Sequence, residues 1–294
     1  MTALKVSDLH PWRFFLDTWS TLDKESFEYR ESHNGNTGTA ITAYVFIVAA
    51  IALTFSDLNY FGGNAASTRL ILFLDSSQSR ITHPILWNLL SWLIPDNGSI
   101  VTSGYLELWQ LGFWTAIKVL AYLIFPAVAI AVHPKLSFKM VGLDTSDFFS
   151  HIKIYAVLFL PVLAAVIAIS FTNEFTEYYP FYSNSMRSSF DFWAWELMYI
   201  AQFFALEFFF RGFILQLSKN SMGSSAIVAM MLPYVMLHFG KPLPECFAAV
   251  IAGVILGTLA LKTRSIWAGF FLHVSVALSM DIASNLQKSG QLFF

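Results

Sequence analysis

The sequence predicts an all-α fold, a polytopic helical membrane protein with about seven transmembrane helices, and three observations predict it. Of 294 residues, 56% are hydrophobic and only 12% are charged, where a soluble domain carries about 25% charged residues. Mean hydropathy is +0.59. The apolar runs are continuous rather than alternating with period two, which argues against a closed β-barrel. The net charge of −2 gives no basis for a nucleic-acid partner. The single cysteine, Cys246, excludes an internal disulfide and a cysteine-built metal cluster, and reads as a small packing residue.

Residues 1–38 form a polar cytoplasmic or interfacial segment without the charged, apolar, small-residue order of a cleaved signal. Trp12, Phe14, Leu16, Trp19, Phe27 and Tyr29 alternate loosely with Asp17, Asp23, Lys24 and Glu28. That is the pattern of an amphipathic helix on the membrane surface; a partly ordered tail is the other reading. An N-terminal membrane region, 39–153, opens with a span at 39–56 of the roughly 18–20 residues a bilayer core requires. An external insert, 57–107, carries two short apolar pieces, 70–74 and 85–94. The second, closed by Pro84 and Pro95 and bearing Trp87 and Trp92, is too short to span and reads as interfacial or re-entrant. A second span covers 108–132, with Pro126 expected to kink it and Lys118 to snorkel or to pair inside. The membrane core, 154–294, contains further spans at 154–171, 192–217, 225–239, 246–261 and 266–285.

Orientation follows from the basic residues near span ends. Lys135, Lys139, Lys153, Lys219, Lys262 and Arg264 fall on one side, against Arg187, Lys241 and Lys288 on the other. The richer side is expected in the cytoplasm, with a cytoplasmic N-terminus and an external C-terminus.

Few ionisable residues lie within the spans: Lys118, Glu196, Glu207, Arg211, His238 and His273, with Asp281 near the end of the last. Charge in such a setting is costly and marks a protein interior or a wet cavity. Glu207 and Arg211 are four residues apart, on one helical face. Glu207, His238 and His273 sit on three different helices, and at about 1.5 Å per residue their depths agree to within roughly 10 Å. Singly, each reads as a polar group that glues helices; together they can converge. A carboxylate beside a histidine can take the proton of a water attacking a carbonyl, and a second histidine can bind the resulting oxyanion. The same three residues are equally a candidate Zn²⁺ site with an open fourth position, although no HExxH helix is present. Glu196, Lys241 and Glu245 read as rim residues.

Three pieces carry a family resemblance: Glu207-Phe-Phe-Phe-Arg211, Tyr234-Val-Met-Leu-His238, and Ser265-Ile-Trp followed by Leu-His273. In this order, on separate apolar helices across about 190–285, they resemble the CPBP family of intramembrane proteases. That family includes CAAX prenyl endopeptidases and bacteriocin-processing and immunity proteins. The resemblance implies Glu207, His238 and His273 as catalytic residues, with Arg211 and Tyr234 supporting them. It implies no obligatory cofactor, although zinc stays open. The expected place is a bacterial inner membrane, and the expected partners are the lipid bilayer and a membrane-associated protein or peptide substrate. Two positions depart from the pattern. Leu206 stands where the family has the first of two adjacent glutamates, and Ala277 stands where it has an asparagine after the last histidine; Asp281 is a poor stand-in for it. Either Glu207 takes over as general base with His238, or hydrolysis is lost. The expected function is therefore an intramembrane peptidase, with an inactive protease-like protein that binds a partner, in an immunity or scaffolding role, as the alternative. A transporter with an ion-coupled carboxylate ranks lower, since no internal repeat is visible.

Overall fold

The computed structural model describes residues 10, 12–33, 36–57, 64–75, 104–145 and 148–290, and every regular element among them is helical. The short apolar piece expected at 85–94 lies outside the described residues. In chain order the helices are α1 (Thr18–Ser32), α2 (Asn36–Phe55), α3 (Asn64–Asp75), α4 (Leu106–Val132), α5 (Ile152–Ile169), α6 (Asn173–Tyr178), α7 (Ser189–Met222), α8 (Ser225–Met236), α9 (Leu243–Thr263) and α10 (Trp267–Lys288).

Helix α1 buries Thr18, Leu22 and Ser26, one stripe at a spacing of four, as an amphipathic helix does. It lies across one end of the bundle. There Asp23 accepts hydrogen bonds from the Ser224 backbone N–H (2.7 Å) and hydroxyl (3.1 Å), and the Trp19 indole N–H donates to Thr258 (3.0 Å).

Six helices, α2, α4, α5, α7, α9 and α10, are long and apolar enough to cross a membrane. The run expected to span 225–239 is instead the 12-residue α8, about 18 Å long against a hydrocarbon core of about 30 Å. The apolar sequence continues past it, but the backbone does not. Gly240 takes φ +90°, a conformation open to glycine, and Pro242 cannot extend a helix, so the chain reverses directly into α9. Helix α8 lies tightly on α9 because Gly253 and Gly257 face it. A Cβ at Gly253 would stand 2.6 Å from Met231, and one at Gly257 would stand 3.1 Å from Ile227 and Met230. This is close approach through small residues four apart, as in membrane helix pairs.

Both interior expectations for α4 find an explanation. A π turn, Leu120–Ile124, precedes Pro126, because proline has no N–H to give and its ring crowds the carbonyl one turn back. Lys118 pairs inside, donating to the Ser56 carbonyl at 3.0 Å and to Tyr122 at 3.4 Å.

Helix α7 is the axis of the bundle. Phe208, Phe209, Phe210, Phe213, Ile214 and Leu215 are each at most 1% exposed. This half of the helix, buried on every side from Glu207 to Ser218, is a core element, while the first half exposes Phe190, Trp193 and Leu197. Gly212 lets the backbone at Val141 approach, since a Cβ there would be 3.0 Å from the Val141 carbonyl oxygen. The segment after Val141 then fixes the start of α10: the Ile266 N–H donates to Gly142 (3.0 Å) and the Trp267 indole to Leu143 (2.9 Å).

Candidate active site

Glu207 is the last α-helical residue before a nine-residue π stretch, Phe208–Gln216, inside α7. Such stretches are rare and concentrate at functional sites. Glu207 and Arg211 are both 0% exposed, and Arg211 Nη1 stands 3.1 Å from Glu207 Oε1. A buried carboxylate requires such a partner, because removing a charge from water costs several kcal/mol.

The same Oε1 accepts a hydrogen bond from His273 Nδ1 at 2.5 Å. Gly269, one turn before His273 on α10, makes room for this contact: a Cβ there would stand 2.2 Å from Glu207 Oε2. Phe203, one turn before Glu207, stacks on the His273 ring with a centroid separation of 5.6 Å and planes 9° apart. The other ring nitrogen of His273, Nε2, is 2.8 Å from the Tyr234 hydroxyl.

Tyr234 and His238 come from the end of α8. His238 Nδ1 donates to the Tyr234 carbonyl at 3.0 Å, which fixes the tautomer and leaves Nε2 without a hydrogen bond among the described residues. The Tyr234 ring is 1% exposed. Its centroid lies 4.2 Å from the Arg211 guanidinium carbon and 4.9 Å from the His238 ring. Cys246 packs behind the turn, its thiol 3.0 Å from the His238 carbonyl oxygen.

The three helices thus bring all five expected residues into one cluster: Glu207, Arg211, Tyr234, His238 and His273. The pairing within it differs from the pairing expected. Glu207 is bonded to His273, with Tyr234 between the two histidines, and no direct contact joins Glu207 to His238. Leu206 and Ala277 add no polar group. Ala277 packs with Tyr182, Trp195 and Tyr199.

Both ring nitrogens of His273 are engaged, Glu207 Oε1 is shared by a guanidinium and an imidazole, and His238 stands apart from the carboxylate. Among the described residues no three His, Cys, Asp or Glu side chains are arranged to hold a metal ion.

Three features were not legible as parts of a site. Gly269 has no chemistry of its own and matters only through the room it leaves. Glu196 and Asp281, read separately as a rim residue and a poor stand-in, are buried at 2% and 1% exposure. The Trp195 indole N–H donates to Asp281 at 2.8 Å, and the Glu196 carboxyl stands beside that of Asp281, with Glu196 Oε1 and Asp281 Oδ1 buried without a hydrogen-bond partner. Lys241 and Glu245 do form a rim pair at 2.6 Å, partly exposed, with Glu245 also accepting from Tyr179 at 2.5 Å.

Residues 188–279 match the family model described as Type II CAAX prenyl endopeptidase Rce1-like. The match covers about a third of the chain, and the whole of the cluster from Glu207 to His273 lies inside it. No curated protein and no solved structure matches the chain. The segment is therefore Rce1-like, and its family supports an intramembrane protease of the CAAX type as the kind of protein this is.

Proposed function

From the Rce1-like segment, we propose that the protein hydrolyses a peptide bond of a membrane-associated protein or peptide. The observation that carries the reading is the pair of histidines around one tyrosine, each with its Nδ1 committed to a hydrogen bond. His238 is the general base. Its Nδ1–H is held by its own helix, so the Nε2 lone pair is the acceptor for a water proton. The activated water attacks the substrate carbonyl carbon, and the oxyanion forms on the side governed by His273.

Glu207 acts through His273. A carboxylate that is 0% exposed and shared with Arg211 is poorly placed to meet water itself, but it fixes the imidazole's tautomer and ring orientation, as the carboxylate does in a hydrolytic triad. When the tetrahedral intermediate collapses, the C–N bond breaks and the proton held by His238 passes to the departing amine. The apolar walls exclude bulk water and strengthen each of these interactions. The family description, CAAX prenyl endopeptidase, makes polypeptides carrying a lipidated cysteine near the C-terminus the substrate class to examine first.

The test compares membranes from cells lacking the protein with membranes complemented by wild type or by His238→Ala. One polypeptide should stay unprocessed in the deletion and in the His238→Ala strain and be shortened only with wild type. Equal processing with His238→Ala at equal protein level overturns the assignment of the base, and processing that never depends on the protein overturns the function.

A further inference from the structure

We propose that Tyr234 is a further catalytic residue: its hydroxyl is the hydrogen-bond donor that meets the oxyanion, in a site where Ala277 supplies none. The inference rests on the proposed hydrolysis and names the atom that stabilises its intermediate.

Hydrogen-bond accounting leads to it. A carboxylate only accepts, so the 2.5 Å contact between His273 Nδ1 and Glu207 places a hydrogen on Nδ1. In the neutral imidazole Nε2 then carries a lone pair, and the 2.8 Å contact with Tyr234 is the phenol O–H donating into it. His273 in this tautomer has no N–H left for an oxyanion. The His238 Nδ1–H is likewise taken, by the Tyr234 carbonyl. Among the described residues at the centre between the two histidines, the Tyr234 hydroxyl is a hydrogen that can be redirected, beside the Arg211 N–H groups that are buried without a hydrogen-bond partner.

The geometry suits that role. The ring is 1% exposed and is held by Arg211 on one face, by His238, and by Phe210 edge-on at 5.5 Å. A donor fixed before the reaction adds no reorganisation cost when charge develops. Turning about the C–O bond moves the hydrogen from Nε2 to an oxyanion on the other side of the oxygen without moving the ring. His273 is then a positioning residue that holds the hydroxyl until substrate arrives. No proton is transferred in this contact. The water proton goes to His238 and then to the amine, and the oxyanion re-forms the carbonyl as the C–N bond breaks.

The experiment uses the purified full chain in detergent, with membranes from cells lacking the protein as the probe, and counts new amino termini by mass spectrometry. Tyr234→Phe keeps the ring and removes one oxygen. The expected result is a maximal rate at least about 100-fold lower, at an unchanged half-saturating amount of membrane and a thermal midpoint within about 2 °C of wild type. The loss should be uniform across pH. Replacing Tyr234 with 3,5-difluorotyrosine, a more acidic phenol, should restore the rate and bring its alkaline fall to lower pH. A Tyr234→Phe maximal rate within about threefold of wild type overturns the proposal and leaves the hydrolytic reading intact. A loss that appears only as weaker saturation or a lower thermal midpoint also overturns it, in favour of a packing role. If wild type produces no new termini, both readings fall.

Discussion

Two polar clusters join the same pair of helices, and they solve the problem of buried charge in opposite ways. On α7 and α10, Glu207 meets His273 and Glu196 meets Asp281. Rising numbers on one helix match falling numbers on the other, so the helices run antiparallel. The clusters are separated by eleven residues on α7, about 16 Å along a helix. The first balances a carboxylate with a guanidinium and leaves imidazoles at its edge. The second puts two carboxyls against each other with an indole N–H as their donor. Like charges in contact repel in a medium of low dielectric, so that contact depends on a proton shared between the two. One cluster pairs its carboxylate with a guanidinium and carries the histidines; the other sets two carboxyls and an indole across the same two helices. What separates them is the counter-charge on Arg211.

The comparison breaks most sharply at that residue. Arg211→Leu leaves Glu207 charged and uncompensated, and should cost about 3–5 kcal/mol, read as a steep fall in the thermal unfolding midpoint in detergent. An unchanged midpoint would mean that the ion pair does not hold this end together. Gly269→Ala comes next: its methyl enters the space of Glu207 Oε2. The displaced carboxylate should cost about 1–3 kcal/mol and lower cleavage at least about tenfold, with amino-terminal mass spectrometry as the readout. At the other cluster, Trp195→Phe removes the donor to Asp281 and should cost about 1–2 kcal/mol while cleavage continues. The smallest effect belongs to Glu196→Gln, whose amide supplies in a neutral group the hydrogen that the carboxyl pair shares. It should change stability by less than about 1 kcal/mol, read as the thermal unfolding midpoint in detergent. A large loss of cleavage with Glu196→Gln would show that the clusters do not have separate duties.

Six of the seven expected spans and the convergence of Glu207, His238 and His273 were legible in the sequence, because apolar run length and residue count report depth through the membrane; for Lys118 the sequence left snorkelling and interior pairing both open. Azimuth was not. Depth alone does not tell whether Glu207 faces His238 or His273; that is set by the glycine at 269 and by the π stretch, neither of which leaves a hydrophobic pattern. Helix α8 was misjudged in length for a similar reason: composition stays apolar through Phe239, while the turn at Gly240 and Pro242 is a backbone event. The exposed Phe239 that made the run look like a longer span lies in the turn after α8 instead. Glu196 and Asp281 were each weighed alone, because their separations of eleven and eight residues from Glu207 and His273 are unequal rises of about 16 and 12 Å and did not pair them by depth.

The π stretch in α7 has a consequence for insertions and deletions. A π turn holds more residues than an α turn, so residues 208–216 contain slack that a plain α-helix lacks. Removing one residue there need not break the helix, since the segment can tighten into α geometry. The helix on either side then keeps its place, and the residues inside the stretch turn by roughly 100°, which carries Arg211 or Gly212 away from Glu207 and Val141. A one-residue deletion in this stretch should therefore give a chain that still inserts as a bundle but has lost the register between its anion and its cation. The identity of the residues here matters less to the reaction than how many of them there are.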